Sequence, residues 1–459
     1  MKNRKKELEY ARTHFNEVHH TTLNPEGPGV VRIHLIPPAI EDDYIGPSVA
    51  IINGQDIIPV NASWSILLTE FIEQVNKYDG QEINEEDFND ILKNTCKNMG
   101  KVYPLLPKSF FKKDLFRIMN TFKQIAYREP VEEDIGYMSL GDYAPFMQAP
   151  HRMDLMVSAM EKNGKWNCNQ CCVHCYAAGQ KNSKEEELST EEWKKIIDKC
   201  RKIGIPQLTF TGGEPTMRED LAELIGYAAW FVTRLNTNGI LLTEEYCNKV
   251  KEVSLDSMQI TFYSNDEKIH NMLVGAEKYN DTVSGIKNAL KAGISVSINT
   301  PLCTLNKDYL STLEFMHSLG VLYVTCSGLI TTGNAEKEQS EKLQLDTKEI
   351  EEILTKATEY CANNGMEISF TSPGWVENGF CEKLGLNPPT CGACLSNMAI
   401  TPSGKVVPCQ SWLSDDALGD FLIDEWTSIW DGEKCKEKRD YSSKMEGLCP
   451  LRKEAKANE

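Results

Sequence analysis

WNCNQCCVHCYAAG, residues 166–179, sets Cys168, Cys172 and Cys175 at CxxxCxxC spacing. An iron–sulfur cubane takes four soft ligands, and a tight loop can put three thiolates on three irons while the fourth iron is left without a protein ligand. Two other readings use the same residues. A tetrahedral zinc site takes four donors, usually as CxxC pairs, and His174 with Cys171 could complete one inside the loop. The thiols could also simply fill a core. What lies around the loop decides between them.

The surrounding pattern alternates. DLMVSAM (154–160), PQLTFT (206–211), WFVTRLN (230–236), SMQITFYS (257–264), ISVSINTPL (294–302) and VLYVTCS (321–327) have strand composition, and helical periodicity lies between them. The first helix opens at Ser189 with Glu192 three residues on, a capping box, and carries Trp193, Ile196, Ile197, Cys200 and Ile203 on one face. Repeated strand and helix units imply a parallel sheet, doubly wound or a full or partial (β/α) barrel. In such barrels chemistry collects where the strands end. The cysteine loop follows the first strand, Gly212-Gly213-Glu214-Pro215 the second, Asn236-Thr237-Asn238-Gly239 the third and Thr261 to Ser264 the fourth, so all four face one mouth.

Composition sets the bounds. The chain has 459 residues, 41% hydrophobic, room for several cores, and its charged start and lack of an 18-residue apolar run predict a cytoplasmic protein without a membrane span. A formal charge of −18 repels phosphate backbones, which argues against nucleic acid as a partner. Sixteen cysteines without a secretion signal imply a reducing compartment, where thiols serve metals or cores. Cys96, Cys200, Cys247, Cys303, Cys326 and Cys361, standing singly in apolar or helical surroundings, read as core residues.

Ahead of the barrel, SVAII and QDIIPV flank Asn53-Gly54, a hairpin signal, and helical patterns follow over 62–77 and 84–97. The expected organisation is a leader (1–27), a hairpin-and-helix unit (28–100), a bridge (101–152), the barrel (153–335), a linking helix and strand (336–375) and a cysteine-bearing unit (376–459).

CxxxCxxC, FTGGEP and LNTNG, in that order on successive βα units, resemble the radical S-adenosylmethionine (SAM) superfamily over roughly residues 150–335. The resemblance implies a partial (β/α)6 TIM-type barrel, with Cys168, Cys172 and Cys175 holding a [4Fe–4S] cluster whose open iron binds SAM. One-electron cleavage of the sulfonium then gives methionine and a 5′-deoxyadenosyl radical that abstracts a substrate hydrogen. Gly212 and Gly213 would let the backbone approach the methionyl part. Glu214 suits its ammonium group, and Asn236, Thr237, Thr261 and Asn299 offer neutral donors and acceptors for the rest of SAM. Many members place an arginine in the segment matching HNMLVG (270–275), where it can pair with the SAM carboxylate. This chain has none there.

Cys391, Gly404 and Cys409 in CGACLSNMAITPSGKVVPC resemble the opening of the SPASM auxiliary-cluster domain, and LGDFLIDEWTSIW its continuation. The dense closing cysteines are missing, with only Cys435 and Cys449 after Cys409. The resemblance therefore implies one auxiliary [4Fe–4S] cluster, assigned to Cys391, Cys394, Cys409 and Cys449, or a structural zinc on the same thiols. The N-terminal hairpin with NASWSILLTEFIEQVNKYDGQEI resembles the winged-helix-like peptide-recognition domain related to the chaperone of pyrroloquinoline quinone biosynthesis, through Asn61 and Asp79-Gly80. A dimerisation or packing domain is the alternative.

Together these features imply a radical SAM oxidoreductase that modifies a ribosomally made precursor peptide by crosslinking or epimerisation, with a ferredoxin or flavodoxin as electron donor. The alternatives are a maturase of a folded protein or of a small cofactor precursor and, from another class, a non-catalytic zinc- or cluster-binding interaction protein.

Overall fold

Asn53 and Gly54 both take positive φ, 50° and 71°, and between them the chain reverses so that Ile52 faces Asp56. Side-chain chemistry fixes the turn as well, because Asn53 Oδ1 accepts from the Arg32 amide at 2.9 Å. These residues belong to the first of two units into which a computed structural model divides the chain, Met1–Ala149 with Arg201–Pro206, and Pro150–Cys200 with Gln207–Glu459. The structure describes residues 2–23, 31–42, 44–54, 56–78, 81–127, 129–131, 138–184, 186–337, 340, 342–444 and 448–452. Asp79-Gly80 lies outside the described residues.

In the first unit, helix α1 (Lys2–His14) precedes an antiparallel sheet of β1 (His19–Leu23), β2 (Val31–Ile36), β3 (Ser48–Ile52) and β4 (Asp56–Val60), in the order β1-β2-β3-β4. Three helices follow, α2 (Ala62–Val75), α3 (Glu85–Val102) and α4 (Lys108–Ala126). Asn61 caps α2 by accepting from the Trp64 amide at 2.9 Å, and Asn84 with Asp87 forms a capping box on α3. Ile33, Leu35, Ala50 and Ile52 share one buried cluster with Leu67, Phe71, Ile91, Met99, Leu115 and Phe122. Tyr10, Ala11 and Phe15 of the leader complete that core, as does α4 of the segment read as a bridge. The unit is therefore wider than the 28–100 pattern, because α1 and α4 cover apolar faces that the hairpin and two helices would leave wet.

The second unit is built on a ten-stranded sheet. Its parallel run is β5 (Arg152–Ser158), β6 (Gln207–Gly212), β7 (Val232–Thr237), β8 (Ser257–Thr261), β9 (Ser295–Pro301), β10 (Tyr323–Ser327) and β11 (Glu367–Phe370). Helices cross between successive strands, as a parallel sheet demands. The strand read as part of a linker, 367–370, is thus a seventh barrel strand beside β10. On the opposite edge β12 (Asn397–Ile400) adds parallel to β5, followed by antiparallel β13 (Lys405–Val407) and β14 (Gly419–Asp420).

All six singly placed cysteines named above are buried, in keeping with small apolar side chains. No helix among the described residues is long and apolar enough to cross a membrane.

His151, at the entry to β5, and His270, packed against Phe262, Tyr263 and Tyr279, are both pushed down to about 4 by burial. The folded state holds them neutral while the unfolded chain binds protons from about pH 6.5 downward. Their stabilisation is complete above that value and is lost as pH falls toward 4. Chemical denaturation across this window is expected to show steep loss of stability, each histidine accounting for at most about 3 kcal/mol. His270→Gln should flatten the slope by roughly one proton.

Candidate active site

The cysteine loop has almost no regular structure of its own, so its shape comes from neighbours. The Cys171 amide donates to Val274 O at 2.9 Å and the Val173 amide to Leu273 O at 3.0 Å. Both carbonyls end the helix Glu267–Val274, which closes on Gly275 at φ 64°, and a Cβ there would lie 2.4 Å from Cys171 O. On the other side Gly333, at φ 63°, passes so close that a Cβ would stand 2.5 Å from the carbonyls of Cys175 and Tyr176. The next residue, Asn334, donates from its amide to Cys175 O at 2.9 Å and from Nδ2 to Cys172 O at 3.0 Å. Ser340 Oγ donates to Val173 O at 2.8 Å. The segment HNMLVG, where an arginine is often found, here serves as a backbone rest for the loop.

Within the loop, Trp166 Nε1 donates to Gln170 O at 2.6 Å, and His174 Nε2 meets Tyr263 Oη at 3.1 Å. Tyr263 in turn hydrogen-bonds Cys172, so His174 reaches the thiols through that hydroxyl. Burial pushes Cys168 up to about 12, Cys175 to about 11 and Cys172 well above the usual thiol range. Three half-buried thiols close enough to raise one another's pKa fit a group whose positive charge holds them as thiolates. Among the described residues no three His, Cys, Asp or Glu side chains are placed to share one metal ion. Cys171 is exposed, yet close enough that its charge would act on all three of these thiols.

Glu214 is buried and organises the opposite wall. Its Oε1 accepts from Thr216 Oγ1 at 2.5 Å, the Thr216 amide at 3.1 Å and Thr237 Oγ1 at 2.6 Å, while Oε2 accepts from the Asn238 amide at 2.8 Å. One carboxylate thereby ties the end of β6 to the end of β7. Burial raises its pKa despite those four donors, and Oε2 retains acceptor capacity toward the cavity. Asn238 Nδ2 reaches across to Asn169 Oδ1 at 2.6 Å, joining this wall to the cysteine loop.

Cys168, Cys172, Cys175, Gly212, Gly213, Glu214, Asn236, Thr237, Thr261 and Asn299 all line one cavity of about 480 Å3. Asn236 Oδ1 is buried there without a partner, a polar vacancy that a bound cofactor's donor would fill. Asn299 Oδ1 instead accepts from Thr325 Oγ1 at 2.9 Å. Sequence reading missed Gly333 and Asn334, which follow the sixth strand. Their only local signal is the turn dipeptide Gly333-Asn334.

The C-terminal cysteines form two groups. Cys409 is pushed up to about 12, by burial and then by Cys391 and Cys449, so these three thiols are neighbours. Cys394, in the left-handed region at φ 57°, hydrogen-bonds Cys435. Arg439 Nη1 donates to Cys435 Sγ at 3.6 Å and to Trp430 O at 3.1 Å, and its guanidinium stacks 3.9 Å over the Trp430 ring. Cys435 and Arg439 are spaced i and i+4 on the helix Glu433–Ser443; Cys435 was counted among the C-terminal thiols but not assigned as a ligand, and Arg439 was not among the sequence candidates. Gln410 and Ser411, beside Cys409, line the barrel cavity.

Comparison with known proteins follows the same division. Residues 167–316 match the radical SAM superfamily, and residues 391–451 match the SPASM iron–sulfur cluster-binding domain. An Fe-coproporphyrin III synthase of Methanosarcina barkeri is 34% identical over 191 residues, 39% of this chain and 47% of that protein, so the chain spans about half the length of this relative. An AdoMet-dependent heme synthase of Oleidesulfovibrio alaskensis is 28% identical over 283 residues, 58% of this chain and 72% of that protein.

Among solved structures, Streptococcus suis SuiB bound to S-adenosylmethionine aligns with a TM-score of 0.59 at 14% identity, covering 88% of this chain and 92% of that one. The structure of anSMEcpe with bound AdoMet aligns at 0.53 with 16% identity, covering 66% and 86%. These two share the fold. The chain carries a radical SAM domain and, C-terminal to it in sequence, a SPASM iron–sulfur cluster-binding domain.

Proposed function

We propose that this enzyme modifies a ribosomally made precursor peptide that it captures on the first unit. The observation that carries the reading is an open sheet edge with a cavity beside it. β4 is the last strand of its sheet, and the adjoining cavity of about 1100 Å3 is lined by Pro59, Val60, Trp64, Phe110 and Arg117. An extended peptide adds to such an edge through main-chain hydrogen bonds, while pockets take alternate side chains. Trp64, with the Arg117 guanidinium 5.8 Å from its ring, supplies the aromatic anchor. Pro59 removes one amide donor from β4, which restricts the registers a peptide strand can take. SuiB, which shares the fold, has been solved bound to its precursor peptide SuiA.

In the barrel, Cys168, Cys172 and Cys175 would hold the cluster. Glu214 would take the SAM ammonium on Oε2, with Asn236, Thr237, Thr261 and Asn299 ordering the rest of SAM. The bound pair supplies one-electron cleavage of SAM and hydrogen abstraction by the carbon radical formed. The chain's own work is positioning: the hydrogen-bonded wall from Asn169 through Asn238 to Glu214 fixes the mouth. Cys391, Cys409 and Cys449 would hold one auxiliary cluster that accepts the surplus electron or a substrate thiolate, with Cys394, which bonds Cys435 but also lies near Cys409, turning to them as the fourth ligand. A ferredoxin or flavodoxin would supply the reducing electron.

A second reading is favoured by sequence likeness to the coproporphyrin and heme synthases, under which an iron coproporphyrin enters the cavity instead. The two separate by binding. A labelled peptide encoded beside the gene should bind the full chain, and Trp64→Ala should weaken it about tenfold or more, as loss of a buried aromatic anchor does. Saturable coproporphyrin binding with no peptide binding would establish the second reading.

Anaerobic reconstitution tests the chemistry. The chain with Cys168→Ala, Cys172→Ala and Cys175→Ala should lose about four irons and all SAM-derived 5′-deoxyadenosine. Cys409→Ala should lose about four other irons while SAM cleavage continues. Gly333→Ala is expected to lower iron retention with no change at any ligand, because its Cβ meets two loop carbonyls at 2.5 Å. Full iron content in that variant would refute the backbone-clasp account of the loop.

A further inference from the structure

We propose that Arg234, with Arg152 beside it, binds a carboxylate of the substrate at the floor of the barrel cavity. The inference rests on reading this cavity as the reaction chamber and adds a substrate feature to it, an acidic group deep in the barrel.

Arg234 lies on β7 two residues before Asn236, and both line the cavity. Residues two apart on a strand share a face about 6–7 Å apart, so Arg234 sits one layer below the mouth where Glu214, Asn236 and Thr237 gather. Across the sheet the register runs Arg234 to Thr209 on β6 and Thr209 to Asp154 on β5. This layer is polar and incompletely satisfied. Arg234 makes no hydrogen bond or ion pair with the described residues, and its Nε is buried, as is the unpartnered Thr209 Oγ1. Among the described residues, the carboxylate of this layer is already engaged, since Asp154, 1% exposed, pairs with Arg152 at 3.0 Å.

Two guanidinium groups thus share one carboxylate, and the layer carries a net positive charge. Burial and then the neighbouring Arg152 lower Arg234 to about 10, which leaves it charged at neutral pH. A guanidinium whose Nε is buried without a partner is costly until an opposite charge meets it, and a ligand in this cavity can bring one. A singly charged, planar carboxylate matches both the charge deficit and the fork of guanidinium donors. Above this layer Gln259, Asn299 and Thr325 present neutral amides and a hydroxyl, suited to the uncharged polar parts of the same molecule.

The carboxylate of SAM is the other source of the same chemistry, and the test separates them. The probes are N-acetylglutamate N-methylamide and its glutamine counterpart, added at millimolar concentration to the cluster-loaded full chain. The acid should raise the melting temperature and the amide should not. Arg234→Gln should weaken the acid about tenfold or more, with partial recovery in Arg234→Lys, while SAM affinity stays within about threefold. Without any ligand, Arg234→Gln should melt no lower than the parent, because it removes an unpaired charge.

Three results would overturn the proposal: equal binding of acid and amide, including none of either; loss of SAM affinity with unchanged acid binding; or a ligand-free Arg234→Gln that melts several degrees lower, which would make the arginine structural. None of these depends on the sheet edge of the first unit. Failure of peptide capture with an intact acid response would therefore leave this site standing and redirect the search to small acids.

Discussion

Everything at the candidate centre depends on holding an irregular loop by its backbone. Three thiols can serve one cluster only if their spacing is fixed before metal arrives, yet the loop forms neither helix nor strand. Its carbonyls and amides are satisfied instead by Leu273, Val274, Asn334 and Ser340. The supports press from two directions, and each approach is possible only at a residue without a side chain, Gly275 or Gly333. Held by its backbone in this way, the loop leaves its thiols only long, weak contacts, such as Cys172 Sγ to Gln170 Oε1 at 3.6 Å, which a metal group can replace.

Electrostatics point the same way. Burial lifts the pKa of Cys168, Cys172, Cys175 and Glu214, each of which would be ionised in complex with its expected partner. Burial disfavours their ionised forms, so a cation that meets them here stabilises the ionised form more than it would in water. Glu214 shows the balance most clearly: four donors hold it in place, and burial still raises its pKa. Its role as a tie between β6 and β7 is structural, and the remaining acceptor capacity of Oε2 is what a ligand can use.

What the sequence made legible was the local part. CxxxCxxC, GGEP and NTNG are short, and the alternation around them places each at a strand end without reference to distant residues. The barrel and the ten cavity residues followed from that. The sequence pattern did not reveal contacts made across long separations, such as Asn334 to Cys172 or Cys394 to Cys435, because no short-range periodicity encodes them. The first unit was drawn too narrowly for a related reason. α1 and α4 carry ordinary amphipathic patterns, and nothing in such a pattern names the surface it will cover.

Arg234 belongs to the same class of hidden signal, and its reading reverses the usual logic of a polar residue in a strand. Within VTRLN it alternates like any residue on a half-solvated face, which would make it a surface arginine. Closing the sheet into a barrel turns that face inward, and the position becomes a half-buried charge whose nearest carboxylate, Asp154, is already paired with Arg152. The inward-facing residues of β5 to β10 are polar almost throughout: Asp154, Thr209, Thr211, Asn236, Gln259, Asn299 and Thr325. A barrel interior designed only to be filled would be packed with branched aliphatic side chains. A lumen lined by amides, hydroxyls and an unpaired guanidinium is instead shaped for a polar occupant, and the position of its net charge says which end of that occupant goes in first.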